Sequence, residues 1–364
     1  MTSSLSSHDR LVAALTRQSV DHLPFSPFLA YVWESFPVHV QQAGQLAFHK
    51  RIGATPLWRG APCPVRAIPP KAMEVTSHAA GRDVCVEMHT PVGTLREIRR
   101  RSPEGNTDFL IEHPLKTAED YEIQLWIEEH TSFEVDLTPV REHLAGDGRE
   151  GLSIGMLIPR GKSAYQTLVE HDAGTEELVY ALQDYPQTVE ALWEAMVAND
   201  VQAAQLSMET GFYTYYLTWE DSSTQNYSPR QYRRYIGTEI EKWCTLLAAN
   251  DMHYIQHACG HLRHILPEIK ATGAFGVESI SPPPTGNITI GEARDLVGSD
   301  FAIIGGIEPT RFLALSPDAL EPYVEHVIEE GRGGPFILAN SDSCPPGVTE
   351  EKFALVADIA RRYR

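Results

Sequence analysis

From about residue 150 onward, the sequence alternates between short apolar segments and longer segments with helical periodicity. The helical pattern is clearest after Pro186, where Val189, Leu192, Trp193 and Met196 recur at i, i+3, i+4 and i+7. Strands are predicted at 152–158, 212–219, 252–256, 275–280, 301–304 and 336–339. This alternation predicts parallel strands joined by crossover helices.

The predicted architecture is an α/β fold, a (β/α)8 TIM barrel with additional N-terminal elements covering one end. Such a barrel needs about 250 residues, so a chain of 364 residues leaves room for a cover. We expect a single domain over 1–364, with 1–120 as the cover and 150–364 as the clearest barrel repeats. The cover is predicted to contain a hairpin at 87–99 and a helix at about 117–130. A doubly wound open sheet is the alternative, but polar residues follow several strands in turn, as at the mouth of a barrel.

The composition of the chain disfavours some classes of binding partner. The chain has 30 Lys and Arg against 49 Asp and Glu, a net charge of −19, which disfavours nucleic acid and an anionic membrane surface. Five widely spaced cysteines do not form a disulfide framework and fit a reducing compartment. No apolar signal core begins the chain, and no stretch is long enough to span a bilayer. A cytoplasmic location is therefore expected.

A His-x-Cys pair at the end of a predicted strand is the strongest chemical feature. His257 and Cys259 are two residues apart, so they share one face if the strand continues through them. Cys344, after the last predicted strand, would complete a three-ligand Zn²⁺ site with one open position, the arrangement of a catalytic zinc. The alternative interpretation is a buried His and Cys that bind no metal.

Acidic residues near the same strand ends supply the remaining candidates. Glu278 is the candidate fourth ligand, or a base for the incoming group; alternatively it pairs with a nearby basic group. Glu220 and Asp221 are candidates for orienting His257 through a hydrogen bond to the ring nitrogen that does not bind the metal. Alternatively, they form a solvated loop pair. Trp219 ends an aromatic strand that lines a pocket or packs in the core.

Several segments resemble the uroporphyrinogen decarboxylase superfamily, whose fold is a (β/α)8 barrel. They are 9–15 (DRLVAAL), 20–24 (VDHLP), 257–260 (HACG), 304–309 (IGGIEP) and 340–346 (NSDSCPP). The resemblance covers most of the chain and is clearest over 200–364.

Two branches of that superfamily differ in their motifs. The decarboxylases use no metal and hold an anionic tetrapyrrole with an Arg-Gln-Ala-Gly-Arg segment and an Asp. Here 25–29 reads FSPFL and 41–45 reads QQAGQ, with glutamine in place of both arginines. The methyltransferase branch carries a His-x-Cys…Cys zinc motif, which His257, Cys259 and Cys344 match. The resemblance therefore implies a zinc enzyme that moves a methyl group between a small substrate and the cobalt of a corrinoid protein.

The corrinoid is expected on a separate protein. Corrinoid modules carry an Asp-x-His-x-x-Gly signature, and Asp251-Met252-His253 begins like it, but Gln256 stands at the glycine position. We therefore expect a transient corrinoid (methylcobalamin) partner and a small methyl donor or acceptor: a thiol, a methyl ether or a methylamine. The oligomeric state is left open, a homo-oligomer included. The alternatives are a metal-free decarboxylase and a non-enzymatic binding protein on the same barrel.

Overall fold

The structure is a computed structural model that describes residues 5–103 and 107–364. Its strands are β1 (Leu57–Ala61), β2 (Val65–Ile68), β3 (Glu74–Ala80), β4 (Asp83–Thr90), β5 (Gly93–Arg101), β6 (Asp108–Glu112), β7 (Ser132–Val135), β8 (Leu152–Met156), β9 (Tyr215–Trp219), β10 (His253–His257), β11 (Gly276–Ile280), β12 (Ala302–Ile307) and β13 (Phe336–Asn340). Its α-helices are α1 (Ser7–Leu15), α2 (Val38–Ala43), α3 (Gln45–Ile52), α4 (Ala118–His130), α5 (Thr138–Ala145), α6 (Ala164–Thr167), α7 (Thr175–Asp184), α8 (Pro186–Glu209), α9 (Pro229–Gln231), α10 (Thr238–Ala248), α11 (Leu266–Ala271), α12 (Ile290–Val297), α13 (Pro309–Ala314), α14 (Pro317–Gly331) and α15 (Glu350–Ala360).

The chain divides into two compact units. Unit 1 comprises Met1–Pro64, Leu137–Leu157 and Thr210–Arg364, and unit 2 comprises Val65–Asp136 and Ile158–Glu209. The single-domain organisation that we predicted over 1–364 stays a prediction.

Unit 1 is built on a parallel sheet in the order β1-β8-β9-β10-β11-β12-β13. The seven strands confirm an α/β fold with a parallel sheet. The barrel prediction requires eight strands. A single parallel bridge joins Phe25 to Leu338 of β13, and the carbonyl of Phe25 also accepts a hydrogen bond from the amide of Thr55, just before β1. The segment around Phe25 thus contacts both edges of the sheet.

The core of unit 1 gathers toward the amino ends of these strands. Strand residues such as Leu57, Ile154 and Ile304 form one buried cluster with Leu11 and Leu15 of α1. The strands are apolar along most of their length because both faces are covered. The carboxyl ends are left for polar side chains.

Unit 2 contains antiparallel strands and helices. β3, β4, β5 and β6 form one sheet, and β2 pairs with β7. The half-buried guanidinium of Arg160 lies 2.8 Å from Glu128 and 3.0 Å from Asp200, both of which are buried. Buried carboxylates need such a partner, since an unpaired buried charge costs several kcal/mol.

The strands predicted over 150–364 are all present, with ends shifted by at most three residues. The predicted hairpin at 87–99 is β4 and β5, and the predicted helix at about 117–130 is α4. The sequence analysis predicted no strand at β1, which lies in a proline-rich segment. No described helix combines the length and the apolar character that crossing a lipid bilayer requires.

Candidate functional site

The sheet register places three site residues in one row. His257, the last residue of β10, pairs with Trp219 on β9 and with Glu278 on β11. Paired residues of neighbouring parallel strands point to the same face. The side chains of these three residues therefore meet at the carboxyl end of the sheet in unit 1.

The ligand atoms of Asp221, His257 and Cys259 lie within 4.8 Å of one another. Asp221 Oδ1 is 3.2 Å from His257 Nε2 and 3.5 Å from Cys259 Sγ. Tetrahedral zinc, with bonds of about 2.0–2.3 Å, holds its ligands roughly 3.3–3.8 Å apart. One nitrogen, one sulfur and one oxygen donor at these distances fit a zinc ion.

Asp221 reaches this position through an unusual backbone conformation. Its φ is +40°, in the left-handed region that few non-glycine residues adopt. Asp342, after β13, has a φ of +68°. Such conformations concentrate at functional sites, where surrounding contacts hold them.

A buried chain of charges stands behind His257. Its Nδ1 lies 2.5 Å from Glu278 Oε2, and Arg59 Nη1 donates to Glu278 Oε1 at 2.6 Å. The side chains of Arg59 and Glu278 are fully buried. With Nδ1 held by Glu278, Nε2 is the nitrogen that faces Asp221, as in metal sites where a carboxylate fixes the histidine tautomer.

The electrostatics of this chain follow from burial and pairing. Burial alone would raise the pKa of Glu278, but Arg59 and His257 together hold it below its ordinary value. Burial would lower the pKa of His257, but Glu278, Asp221 and Cys259 raise it well above its ordinary value. Burial raises the pKa of the Cys259 thiol to about 11, despite the hydrogen bond with His257. A bound metal would replace the proton on Cys259.

Asp342 adds a further carboxyl group at the site. Burial raises its pKa, and the nearby charges of His257, Glu278 and Asp221 act on it. Its Oδ1 accepts a hydrogen bond from the amide of Ser343 at 2.7 Å. Asp342 follows the last predicted strand, and from the sequence it was expected to hold the loop that presents Cys344, with no ligand or catalytic role.

The structure does not bring Cys344 into the metal-ligand group. After the turn at Asp342, Cys344 forms a parallel bridge with Tyr31, and its side chain is buried. Its sulfur is not among the ligand atoms that converge on His257 within residues 5–103 and 107–364. Cys344 as the closing ligand stays a prediction.

Glu278 pairs with a basic group, Arg59, which is the alternative that the sequence analysis gave for it. Both carboxylate oxygens of Glu278 are engaged, which favours orientation of His257 over the roles of ligand or base. Glu220 is fully buried and accepts a hydrogen bond from Thr218 Oγ1 at 2.6 Å; Thr218 also contacts the Tyr254 hydroxyl at 2.5 Å. Asp221, predicted to orient His257 from the side away from the metal, contacts Nε2, the ring nitrogen that Glu278 leaves free.

An aromatic wall adjoins the cluster. The ring of Trp219 lies 4.9 Å from that of His257 and stacks on Phe28 at 5.7 Å. The guanidinium of Arg59 lies 4.7 Å from the centre of the Phe28 ring. Gly60, with φ of +72°, leaves room for the indole, since a Cβ there would lie 2.4 Å from Trp219 Cζ2.

Arg59 is the functional residue that sequence reasoning missed. An arginine between the apolar neighbours of a buried strand is the signal that could have found it. Its guanidinium is buried and paired with Glu278. It does not replace the arginines that the decarboxylase motif would require.

Comparison with known proteins adds a family and a fold. The model of the uroporphyrinogen decarboxylase family matches residues 165–363. Among solved structures, a methyltransferase from Methanosarcina mazei aligns over 99% of both chains, with 13% identity and a TM-score of 0.61. A B12-independent methionine synthase from Shewanella sp. aligns over 94% of this chain and 97% of its own, with 8% identity and a TM-score of 0.45. No curated protein sequence matches the chain. At 13% identity the first likeness shows a shared fold.

Proposed function

The chain belongs to the uroporphyrinogen decarboxylase family, and we propose that it is a zinc-dependent methyltransferase of that family. In this proposal the enzyme moves a methyl group between a small substrate and the cobalt of a separate corrinoid protein. The observation that carries the proposal is the convergence of Asp221, His257 and Cys259 on one point. Nitrogen, sulfur and oxygen donors together suit zinc.

His257 and Cys259 belong to either of two ligand sets. The sequence motif completes the set with Cys344, whereas the distances favour Asp221. With three protein ligands, one coordination position stays open for a substrate, as in catalytic zinc sites. When bound, the ion supplies Lewis-acid chemistry, lowering the pKa of a thiol or polarising the heteroatom that carries the methyl group.

The surrounding residues position and shield this chemistry. Glu278 accepts a hydrogen bond from His257 Nδ1 and so directs Nε2 toward the ligand group. Arg59 balances the buried charge of Glu278. Asp342, whose pKa burial raises, can hold a proton on its carboxyl group beside the substrate. Trp219 and Phe28 offer an apolar wall that excludes water from one side.

We also infer that the segment around Phe25 completes an eight-stranded barrel. The amide of Ser26 donates to the carbonyl of Leu338 in β13, and the amide of Thr55 donates to the carbonyl of Phe25. These hydrogen bonds support a place for the segment between β13 and β1 in the sheet. Closure there would remove both edges of the sheet.

Metal analysis of the purified protein tests the ligand proposal. We expect about one zinc per chain, retained in Cys85→Ser and lost in Cys259→Ser. Cys85 lies on β4 in unit 2 and serves as the matched control. Zinc retained in Cys259→Ser, or absent from the unmodified protein, would overturn the proposal.

A transfer assay tests the reaction. The protein is mixed with cob(I)alamin and a methylated thiol, ether or amine, or with methylcobalamin and a thiol, and the visible spectrum of the corrinoid is followed. We expect conversion between the two corrinoid forms that requires His257. Release of carbon dioxide from a polycarboxylated tetrapyrrole, without any corrinoid conversion, would instead support the decarboxylase alternative.

A further inference from the structure

A second pocket in unit 1 lies at the opposite end of the sheet from the candidate site. Its volume is about 320 Å³, and its wall includes Arg17, Arg332, Phe336 and Tyr363. Phe336 is the first residue of β13, so the pocket opens at the amino end of that strand. A volume of this size suits a small molecule.

A buried arginine lies directly behind the pocket wall. Arg294 is 8% exposed, and its guanidinium donates to the carbonyls of Gly298, Phe301 and Pro335 at 3.0, 2.6 and 2.8 Å. Its Nε has no hydrogen-bond partner in the described part of the chain. Gly334 lines the pocket, and a Cβ at Gly334 would lie 2.3 Å from Arg294 Nη1. The guanidinium thus packs against the backbone that forms the wall.

Arginines gather at this pocket, although the chain carries a net charge of −19. Arg294 bonds to carbonyls, and burial together with the charge of Arg17 lowers its pKa to about 10 against the opposing effect of Asp300. Asp300 also pairs with Lys270 at 2.7 Å, and Glu329 lies 3.3 Å from Arg332. An anion in the pocket would place a further negative charge beside Arg17 and Arg332, which line it.

We propose that this pocket binds a small organic anion, with an oxyanion head on an apolar body. Arg17 and Arg332 line the pocket and offer the planar guanidinium forks that pair with carboxylate or phosphate oxygens. Arg332 lies 5.6 Å from the centre of the Tyr363 ring. Val20 and Ile328 supply apolar wall. The site is independent of the metal centre and of the reaction proposed there.

Calorimetric titration of the full chain at constant ionic strength tests the proposal. The ligands are phenyl phosphate, benzoate and inorganic phosphate, with sodium chloride as the blank. We expect one saturable site that binds phenyl phosphate or benzoate more tightly than inorganic phosphate. The tighter of the two identifies a phosphate or a carboxylate head.

Charge-matched variants locate the site. Arg17→Gln and Arg332→Gln should each weaken binding about 10- to 100-fold, the loss of one charge-assisted contact. Arg230→Gln, on α9 away from the pocket, should leave binding unchanged. No heat beyond the blank, or equal weakening in all three variants, would overturn the proposal. Equal affinity for phenyl phosphate and inorganic phosphate would overturn the proposal that the ligand has an apolar body.

Discussion

The buried pair of Arg59 and Glu278 makes a sharp prediction about stability. In Arg59→Met, Glu278 would keep a buried charge with only His257 beside it. Two charges about 4 Å apart attract by about 4 kcal/mol at an effective dielectric of 20, and breaking a buried pair costs about 3–5 kcal/mol. His257, 2.5 Å from Glu278, retains part of the attraction. We therefore expect a loss of about 3 kcal/mol in the free energy of unfolding.

Urea unfolding followed by circular dichroism measures this loss at pH 7. Arg51→Met is the matched control, since Arg51 pairs with Glu350 while 41% of its side chain is exposed. It should cost less than about 1 kcal/mol. The double variant Arg59→Met/Glu278→Gln removes both buried charges and should be less destabilised than Arg59→Met. A loss below about 1 kcal/mol, or a double variant that loses the sum of its single changes, would refute the reasoning.

The sign of the pH dependence gives a second check on the same variant. In the native protein the pKa of Glu278 is lowered, so its stabilisation is present above the unfolded pKa of about 4.3. It is lost as the pH falls through the lower folded value. Without the charge of Arg59, burial opposes only the effect of His257, so the pKa of Glu278 in the folded variant lies above its native value and less of the stabilisation remains at neutral pH. The penalty should therefore be small near pH 4 and grow toward pH 7.

Three further predictions concern other positions. Asp221→Asn should lower the zinc content while Cys344→Ser leaves it unchanged, because only Asp221 lies in the ligand group; the reverse result would favour the ligand set predicted from the sequence. Burial raises the pKa of Asp172 to about 7, so its charge opposes folding above pH 4. Asp172→Asn should then add up to about 4 kcal/mol at pH 8 and nothing at pH 4 in urea unfolding, and a gain independent of pH would contradict this. Gly60→Ala should displace the Trp219 indole, cost about 1–3 kcal/mol and change the tryptophan emission; an unchanged spectrum would count against the close packing.

Much of the fold was predictable because hydrophobic periodicity reports burial directly. The strands over 150–364 are apolar runs between helical patterns, which identifies them in sequence order. Because His257 and Asp221 each lie at the carboxyl end of such a run, the sequence also predicted that they lie at the same end of the sheet. β1 was missed because prolines surround it and its Arg59 interrupts the apolar run. A buried ion pair between residues 219 positions apart has no local signature.

The proximity of His257 and Cys259 was predictable because their spacing is local. The side chain that joins them in the candidate group depends on backbone angles after a strand. Asp221, with a φ of +40°, lies in that group, while Cys344 forms a bridge with Tyr31. Such angles are set by tertiary contacts, which a sequence pattern does not reveal.

The division of the chain into interleaved units bears on how the protein is made. Unit 2 lies within residues 65–209, while the sheet of unit 1 still lacks β9 to β13 when residue 209 has been synthesised. During translation, unit 2 can therefore acquire its contacts first, and the strand ends that carry Asp221, His257 and Cys259 assemble last. Because segments of unit 1 both precede and follow those of unit 2 in the sequence, no single truncation point separates the two units. A chain that ended at residue 209 would keep the pair of β1 and β8 but leave the edge of β8 without β9.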